Sequence, residues 1–551
     1  MASALLLLGT SAVSAAAVEM PQLKVDHGAT QLYVDGKPYM ILGGELLNSA
    51  ASSLDHLSKQ WAKLDTMHLN TVLAPVYWEL IEPQEGAFDF KMVDGLIEQA
   101  RSHNKRVVLL WFGSWKNSMS SYAPHWVKAD QARFPRSERS DGTGIEILTP
   151  SSKANLEADA KAFVALMEHV KKVDGSRHTV IMVQVENEIA MIPEPRDHSK
   201  LANAAFAAPV PSELTSYLNA HKDTLTPEMR AAWGGHGFKT GASWEATFGA
   251  SPWTDEMFNA WEQARFAGEI AARGKAVYSL PMFVNAALVR PGYLPGRYPS
   301  GGPLPHLFDI WRAAAPSIDI LSPDIYFPNF VEWANKYAVP GNPLFIPETG
   351  HGGPVESTAN ALYAFGQKGL IGFSPFGIEH PEGESVQVLA DLYKLLDELA
   401  PYILASQGTG KIIGLRPPTT YDGTADTAAQ RLTLGDYSLT VSFPEPFPRA
   451  DQKCDSAVCA ARLTPAARGG LVIQIGPDEF LVAGSGIRIA FGMRDQGAGQ
   501  AGLDSVWEGR FVNGAWKPGR LLNGDDTDEG REVVLPTDRL YLQRVRLYRY
   551  R

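Results

Sequence analysis

The sequence predicts a (β/α)8 barrel followed by an all-β domain, and three observations carry that prediction. Short apolar runs alternate with helix-periodic segments from about residue 39 to residue 399, the mark of a parallel α/β architecture. One run, Val180-Ile-Met-Val-Gln-Val185, stops abruptly at Glu186-Asn187-Glu188. Carboxylates at the C-terminal end of a strand buried on both faces stand where such a barrel builds its active site. From about Ala405 the texture changes to short, Gly/Pro-punctuated strands, which reads as an all-β accessory domain.

The elements follow in order. Leu23 to Tyr39 alternates and carries Asp35-Gly36, a hairpin turn signal, and is expected to close the bottom of the barrel. Strand one is Tyr39 to Gly43, ending at Glu45. Leu54, Leu57, Trp61, Leu64 and Met67 recur at helical spacing. Strand two is Leu69 to Tyr77, followed by a helix over Met92 to Asn104. Strand three is Arg106 to Phe112, then a polar excursion runs to Pro150 and a helix covers Ser152 to Val173. After strand four, Val180 to Val185, an insertion runs from Ile189 to about Pro252. Long loops of this kind are usually functional or disordered. Its Phe238, Trp244 and Phe248 either offer a platform to sugar rings or pin the loop to the barrel.

A helix over Trp253 to Tyr278 leads to strand five, Leu280 to Asn285. Pro305 to Ala315 is helical, strand six is Ile318 to Leu321, and Asp324 and Tyr326 follow it. Phe330 to Tyr337 is helical, and Leu344-Phe-Ile-Pro-Glu348 is strand seven. Thr358 to Gln367 is helical, Leu370 to Phe373 is strand eight, and Val386 to Leu399 is the last helix. An open doubly wound sheet is the alternative, but strand one lacks the G-x-G-x-x-G loop of dinucleotide binding. In the accessory domain, strands are expected at Ser438 to Phe443, Gly470 to Ile475, Glu479 to Val482, Arg488 to Phe491 and from Leu540 onward.

The expected organisation is a signal peptide over 1–17, the barrel with its hairpin over 18–404, and the β domain over 405–551. The apolar centre Leu5 to Leu8 and the small residues Ala15 to Ala17 form the signal pattern and imply export to the periplasm or the medium, although no Lys or Arg precedes the apolar centre. No other stretch could span a bilayer. The net charge of −11 and the absence of a basic run speak against a nucleic-acid partner. The two cysteines, Cys454 and Cys459, could close a small disulfide loop but make a poor zinc site. The 13 histidines are scattered, strand one has none, and neither metal nor cofactor is expected.

Glu348 ends strand seven, 348 − 188 = 160 residues after Glu188, which is three β/α units around the barrel. Two carboxylates on the rims of one barrel mouth suit glycoside hydrolysis with retention. One protonates the leaving oxygen and the other attacks the anomeric carbon, with the carboxyl groups ~5–5.5 Å apart.

Leu69-Asn-Thr-Val-Leu-Ala-Pro-Val-Tyr-Trp-Glu-Leu-Ile-Glu-Pro83 with Gly86-Ala-Phe-Asp-Phe90, Ala123-Pro-His-Trp-Val127 and Gln184-Val-Glu-Asn-Glu188 resemble glycoside hydrolase family 35, the β-galactosidases, over residues 30–400. The resemblance implies Glu188 as acid/base, Glu348 as nucleophile and Asn187 as a ligand of the sugar 2-hydroxyl. Tyr326 would then be placed to hydrogen-bond Glu348, and Glu186 would be structural. The acid must be held protonated near the working pH, by a partly apolar site or by the nucleophile's charge.

The chain departs from the family in three places. Pro75 stands where a Tyr is usual, Gly113-Ser-Trp-Lys-Asn-Ser-Met119 replaces a Cys-Ala-Glu-Trp element, and Gly43-Gly44-Glu45 replaces a Ser-x-His-Tyr pattern. Sugar contacts are therefore expected from other residues, namely Glu45, Tyr77, Trp115, Asn117 and Asn285. The expected substrate is a terminal β-galactosyl residue on an oligosaccharide or polysaccharide, such as a xyloglucan side chain. The alternatives are another retaining glycosidase (β-glucosidase, β-fucosidase or α-L-arabinosidase) and a non-catalytic carbohydrate-binding protein.

Overall fold

The computed structural model describes residues 19–350, 355–444, 468–495, 497 and 499–551. The expected signal segment, 1–17, and both cysteines lie outside the described residues.

Eight parallel strands close into a barrel in sequence order. They are β1 (Ile41–Glu45), β2 (Thr71–Tyr77), β3 (Arg106–Lys116), β4 (Val180–Asn187), β5 (Met282–Ala287), β6 (Ile320–Ile325), β7 (Ile346–Thr349) and β8 (Gly372–Pro375). The barrel is filled by Ile41, Leu73, Val108, Leu110, Phe112, Ile181, Phe283, Ile320, Phe345 and Ile371. These side chains are contributed by the inward half of each strand's period-2 alternation, so the centre is packed core and not a pore. Phe283 and Phe345 meet edge to face across it, ring centroids 5.0 Å apart.

The N-terminal segment is a three-stranded antiparallel sheet, Gln22–Asp26, Ala29–Val34 and Lys37–Tyr39, rather than a single hairpin. Asp35 (φ 53°) and Gly36 (φ 75°) form the expected left-handed turn. Leu32 and Val34 join the barrel's interior cluster, and Asp35 bonds Arg106 and His178. The sheet therefore plugs the end opposite the site.

The strands run further toward the site than their apolar runs indicate. β3 continues through Gly113-Ser-Trp-Lys116, β4 through Glu186-Asn187, and β6 to Ile325. Backbone pairing persists where the side chains turn polar, because the backbone donors and acceptors still need partners when buried. The first expected helix is two short ones, Leu54–Ser58 and Trp61–Thr66.

The insertion after β4 is largely helical, with helices Lys200–Ala207, Ser212–Ala220, Pro227–Gly234 and Trp244–Phe248. Its aromatics pin it down. Trp244 and Phe248 are buried, and Trp244 packs on Phe258. Phe238 packs on Trp233 and carries Lys222 over its face. These rings are spent on packing, which leaves the sugar-platform reading without support.

The last barrel helix, Glu384–Ser406, reaches past the expected domain border at 404/405, and the next strand begins at Ile412. The second domain is two antiparallel sheets, of six and four strands, around a core that includes Tyr437, Phe480, Val482, Ile489 and Val545. It packs on the barrel helix Val355–Gln367, which lies over strands Ile412–Leu415 and Gly469–Gly476. A Cβ at Gly414 would fall 2.2 Å from the Tyr363 carbonyl oxygen. Gly414→Ala is expected to cost ~1–3 kcal/mol through overpacking. The measurement is denaturant unfolding, and an unshifted midpoint would contradict this close seam. No helix among the described residues is long and apolar enough to cross a membrane.

Candidate active site

The C-terminal ends of β1, β3, β4, β5, β6 and β7 converge on one buried polar cluster. Glu188, Asp324 and Glu348 each place a carboxylate oxygen within 4.8 Å of the other two. The register produces this. Asp324 on β6 lies directly beside Glu348 on β7, and Asn285 sits one strand earlier.

Glu188 is fixed through its backbone, whose N–H donates to Asn285 Oδ1 at 2.9 Å. The Asn285 amide in turn donates to Asp324 Oδ2 at 2.7 Å. Tyr326 donates its hydroxyl to Glu348 Oε1 at 2.6 Å. Asn187 is held from the other side by Lys116, whose Nζ donates to Asn187 Oδ1 at 2.9 Å. Asn187 Nδ2, Glu348 Oε2 and Glu45 Oε1 are buried with no hydrogen-bond partner among the described residues. A ligand rich in hydroxyls would satisfy both the donor and the acceptors.

The strand end that carries these groups is strained. Glu186 and Glu188 both have positive φ, 62° and 46°. Each left-handed non-glycine residue costs on the order of 1–3 kcal/mol and persists only when its surroundings hold it. Here Trp115 N–H holds the Glu186 carboxylate at 2.7 Å while Asn285 holds the Glu188 backbone. Beneath them a second carboxyl pair is buried. A Cβ on Gly113 would fall 2.7 Å from Asp159 Oδ2 and 2.8 Å from Glu186 Oε1, so this position must be glycine. Asp159 accepts from Trp111 Nε1, Ser114 N and Ser114 Oγ. Burial is the main cause raising both acids, and the Asp159 charge raises Glu186 further. Two buried carboxyls this close cannot both ionise.

The same forces set protonation at the mouth. Burial, then the Glu348 charge, pushes the Glu188 carboxyl up to about 7, with Lys116 opposing. Burial also holds Glu45 and Asp324 well above the usual carboxylate range, again reinforced by Glu348. Burial, reinforced by the neighbouring Glu348 charge, drives the Tyr326 hydroxyl far above its ordinary value, so it stays a donor. A protonated acid thus faces a second glutamate that has its own O–H donor.

Six of the residues expected at the site, Glu188, Glu348, Asn187, Tyr326, Glu45 and Asn285, meet in this cluster. The other three stand elsewhere. Tyr77 is buried among Phe112 and Tyr122. Trp115 is fully buried against Phe266, in the layer between barrel and helices. Asn117 is exposed on the turn after β3, at φ 52°. The alternation explains Trp115, since its neighbour Lys116 takes the inward position opposite Asn187.

Lys116 and Asp324 are the site residues that apolar patterning passed over. Lys116 is 5% exposed and is the cation that opposes the raised pKa values of Glu45, Glu188 and Asp324. A lone Lys in the segment that replaces the expected Cys-Ala-Glu-Trp element was the available signal. Lys116→Met keeps the volume and removes the charge. It is expected to move the alkaline limb of activity to higher pH, because Glu188 loses a neighbouring cation. Loss of the anchor on Asn187 is expected to lower kcat/KM on the order of tenfold. Both are read from one pH–rate profile, and an unmoved limb would remove Lys116 from the account. Glu188, Asp324 and Glu348 are also the one set among the described residues with the spacing of metal ligands, without a His or Cys.

Residues 50–268, which contain β2 to β4 and Glu188, match a family model described as Beta-galactosidase, that of glycoside hydrolase family 42. That is a different family from family 35, so the finer resemblance is not what the match returns. The three departures at strands one, two and three are where family 35 would have been distinctive. Residues 389–534 match a model described only as a domain of unknown function (DUF5597). A β-galactosidase of Xanthomonas manihotis is 28% identical over 186 residues, 32% of this chain and 27% of that protein. The chain thus aligns with little more than a quarter of the length of that relative. Among solved structures, the β-galactosidase of Rahnella sp. R3 is 17% identical with a TM-score of 0.45, and covers 66% of this chain and 57% of its own. That of Bacillus circulans sp. alkalophilus is 14% identical with a TM-score of 0.46, over the same shares. The barrel itself rests on the strand pairing described above.

Proposed function

We propose that the chain is a retaining, exo-acting β-galactosidase, with Glu188 as acid/base and Glu348 as nucleophile. The observation that carries this is a pair of glutamates at short range, one held protonated by burial and the other holding an O–H donor. Carboxylate oxygens of the two lie within 4.8 Å, close to the separation that double displacement uses. Glu188 is held protonated up to about 7, while Glu348 accepts the Tyr326 hydroxyl.

In the first step Glu188 protonates the leaving oxygen as Glu348 attacks the anomeric carbon, forming a glycosyl ester. That bond consumes the Glu348 charge, one of the two causes that raise Glu188. Glu188 then ionises more readily and takes the proton from the water that cleaves the ester. Asn187 is oriented by Lys116 to leave an N–H for the sugar 2-hydroxyl, a contact that strengthens in the transition state. Glu45 and Asp324, held as neutral acids, offer both donor and acceptor to other hydroxyls.

The matched β-galactosidase model and relative support galactose as the sugar. The expected export and the rewired strand ends support galactosyl side chains of plant polysaccharides such as xyloglucan as substrates. The motifs that resemble family 35 remain consistent with this reading. A panel of nitrophenyl glycosides tests it. β-galactoside should be the best substrate, with activity falling as pH rises through about 7, where Glu188 loses its proton. A better β-glucoside, β-fucoside or α-L-arabinoside would change the sugar and keep the mechanism. A chain that binds galactosides and cleaves none would establish the carbohydrate-binding alternative.

A further inference from the structure

A cavity of about 480 Å³ bordering the mouth lies on the seam between the barrel and the second domain. One wall comes from the ends of β6 and β7, where Tyr326 and Phe327 line it together with Thr349. Tyr326 is the residue whose hydroxyl reaches Glu348, so the cavity begins at the nucleophile. The opposite wall comes from the second domain, through Arg416, Thr419 and Ala425. Such a volume is that of a pocket for a small organic ligand.

Its polar groups are built in and only partly used. Arg416 is 7% exposed and gives one guanidinium N–H to Glu356 at 3.0 Å. Its Nε is buried with no hydrogen-bond partner among the described residues, and so is Asn360 Oδ1 on the helix beside it. One orphan is a donor and the other an acceptor, which a hydroxyl-bearing ligand satisfies with one kind of group. The Arg416 charge is met by Glu356, and a second cation, Arg468, lines the same cavity. Phe327, with Tyr421 packed edge-on against it at 5.0 Å, supplies an apolar ring face. Aromatic faces beside unpaired donors and acceptors fit sugar rings.

We propose that this cavity is a binding subsite for the sugar units on the leaving-group side of the scissile bond, and that the second domain exists in part to complete it. This rests on the glycosidase reading above, in which a galactosyl unit occupies the mouth and the remainder of the substrate must leave it. An enzyme with this subsite would prefer a branched or extended oligosaccharide over an aryl galactoside, and the preference would reside in residues outside the matched β-galactosidase segment.

The test uses the full chain with two variants, Ala425→Trp, at an exposed position whose larger side chain fills the cavity, and Asn360→Ala. For galactosylated xyloglucan oligosaccharides, kcat/KM is expected to fall about tenfold in each, mainly through KM, as for loss of uniform binding. For nitrophenyl β-galactoside it should stay within about twofold of wild type. Equal losses on both substrates, or none on the oligosaccharide, would overturn the proposal. Calorimetric titration with the galactose-free oligosaccharide, which cannot be turned over, separates the two readings. If the wild type cleaves no glycoside but binds this oligosaccharide and Ala425→Trp does not, the subsite stands and the glycosidase falls. If the wild type does not bind it, the subsite falls whatever the activity.

Discussion

Replacing Glu348 with Gln is expected to lower kcat on β-galactosides on the order of 10⁴-fold or more, the scale of losing a covalent nucleophile. The substitution is isosteric, and Tyr326 can still donate to the amide oxygen, so the fold and the mouth should survive. What disappears is the anion that forms the glycosyl ester. Its charge also disappears from the surroundings of Glu188, whose pKa is raised first by burial and second by that charge. The Glu188 carboxyl should therefore titrate lower than about 7 in the variant, though burial keeps it above an exposed glutamate. Carboxyl-carbon NMR of the variant and the wild type reads this directly. A variant that keeps near wild-type turnover, or a Glu188 that does not move, would break the coupling on which the chemistry depends.

Glu188→Gln is expected to lower kcat/KM by about 10²–10⁴-fold, the usual contribution of a positioned general acid. The loss should depend on the leaving group. An aryl galactoside with an acidic phenol needs little protonation and should lose least in the first step. An oligosaccharide, whose leaving alkoxide is strongly basic, should lose most. The alkaline limb near pH 7 should vanish, because its titrating group is gone. Rates on a series of phenyl galactosides of graded acidity measure all three. A uniform loss across the series would mean that Glu188 positions substrate without delivering a proton.

How much of this was legible in sequence follows from what each signal measures. Apolar runs report burial on both faces, so all eight strands and their order could be read, together with Glu188 and Glu348 at two strand ends. They do not report where pairing ends once side chains turn polar. β3 and β6 therefore looked shorter than they are, and Lys116 and Asp324 were left outside the site. Trp115 shows the same limit in reverse. An aromatic next to the mouth suggests sugar stacking, but strand alternation turns it outward onto Phe266 while Lys116 points in. The neutral state of Glu45 and the shared burial of Asp159 and Glu186 belong to three-dimensional proximity and have no trace in local sequence. The subsite between the two domains is farther still from sequence view, since its walls are some 60 to 100 residues apart in the chain.

The central claim, that Glu348 attacks the sugar while Glu188 handles the proton, is most directly tested by trapping. The full chain would be incubated with a 2-fluoro-galactosyl fluoride, which forms the glycosyl ester quickly and releases it slowly. Peptide mapping by mass spectrometry then locates the label. The account predicts one fluorogalactosyl group per chain, on Glu348. Label on any other residue, or inactivation without label, would contradict it.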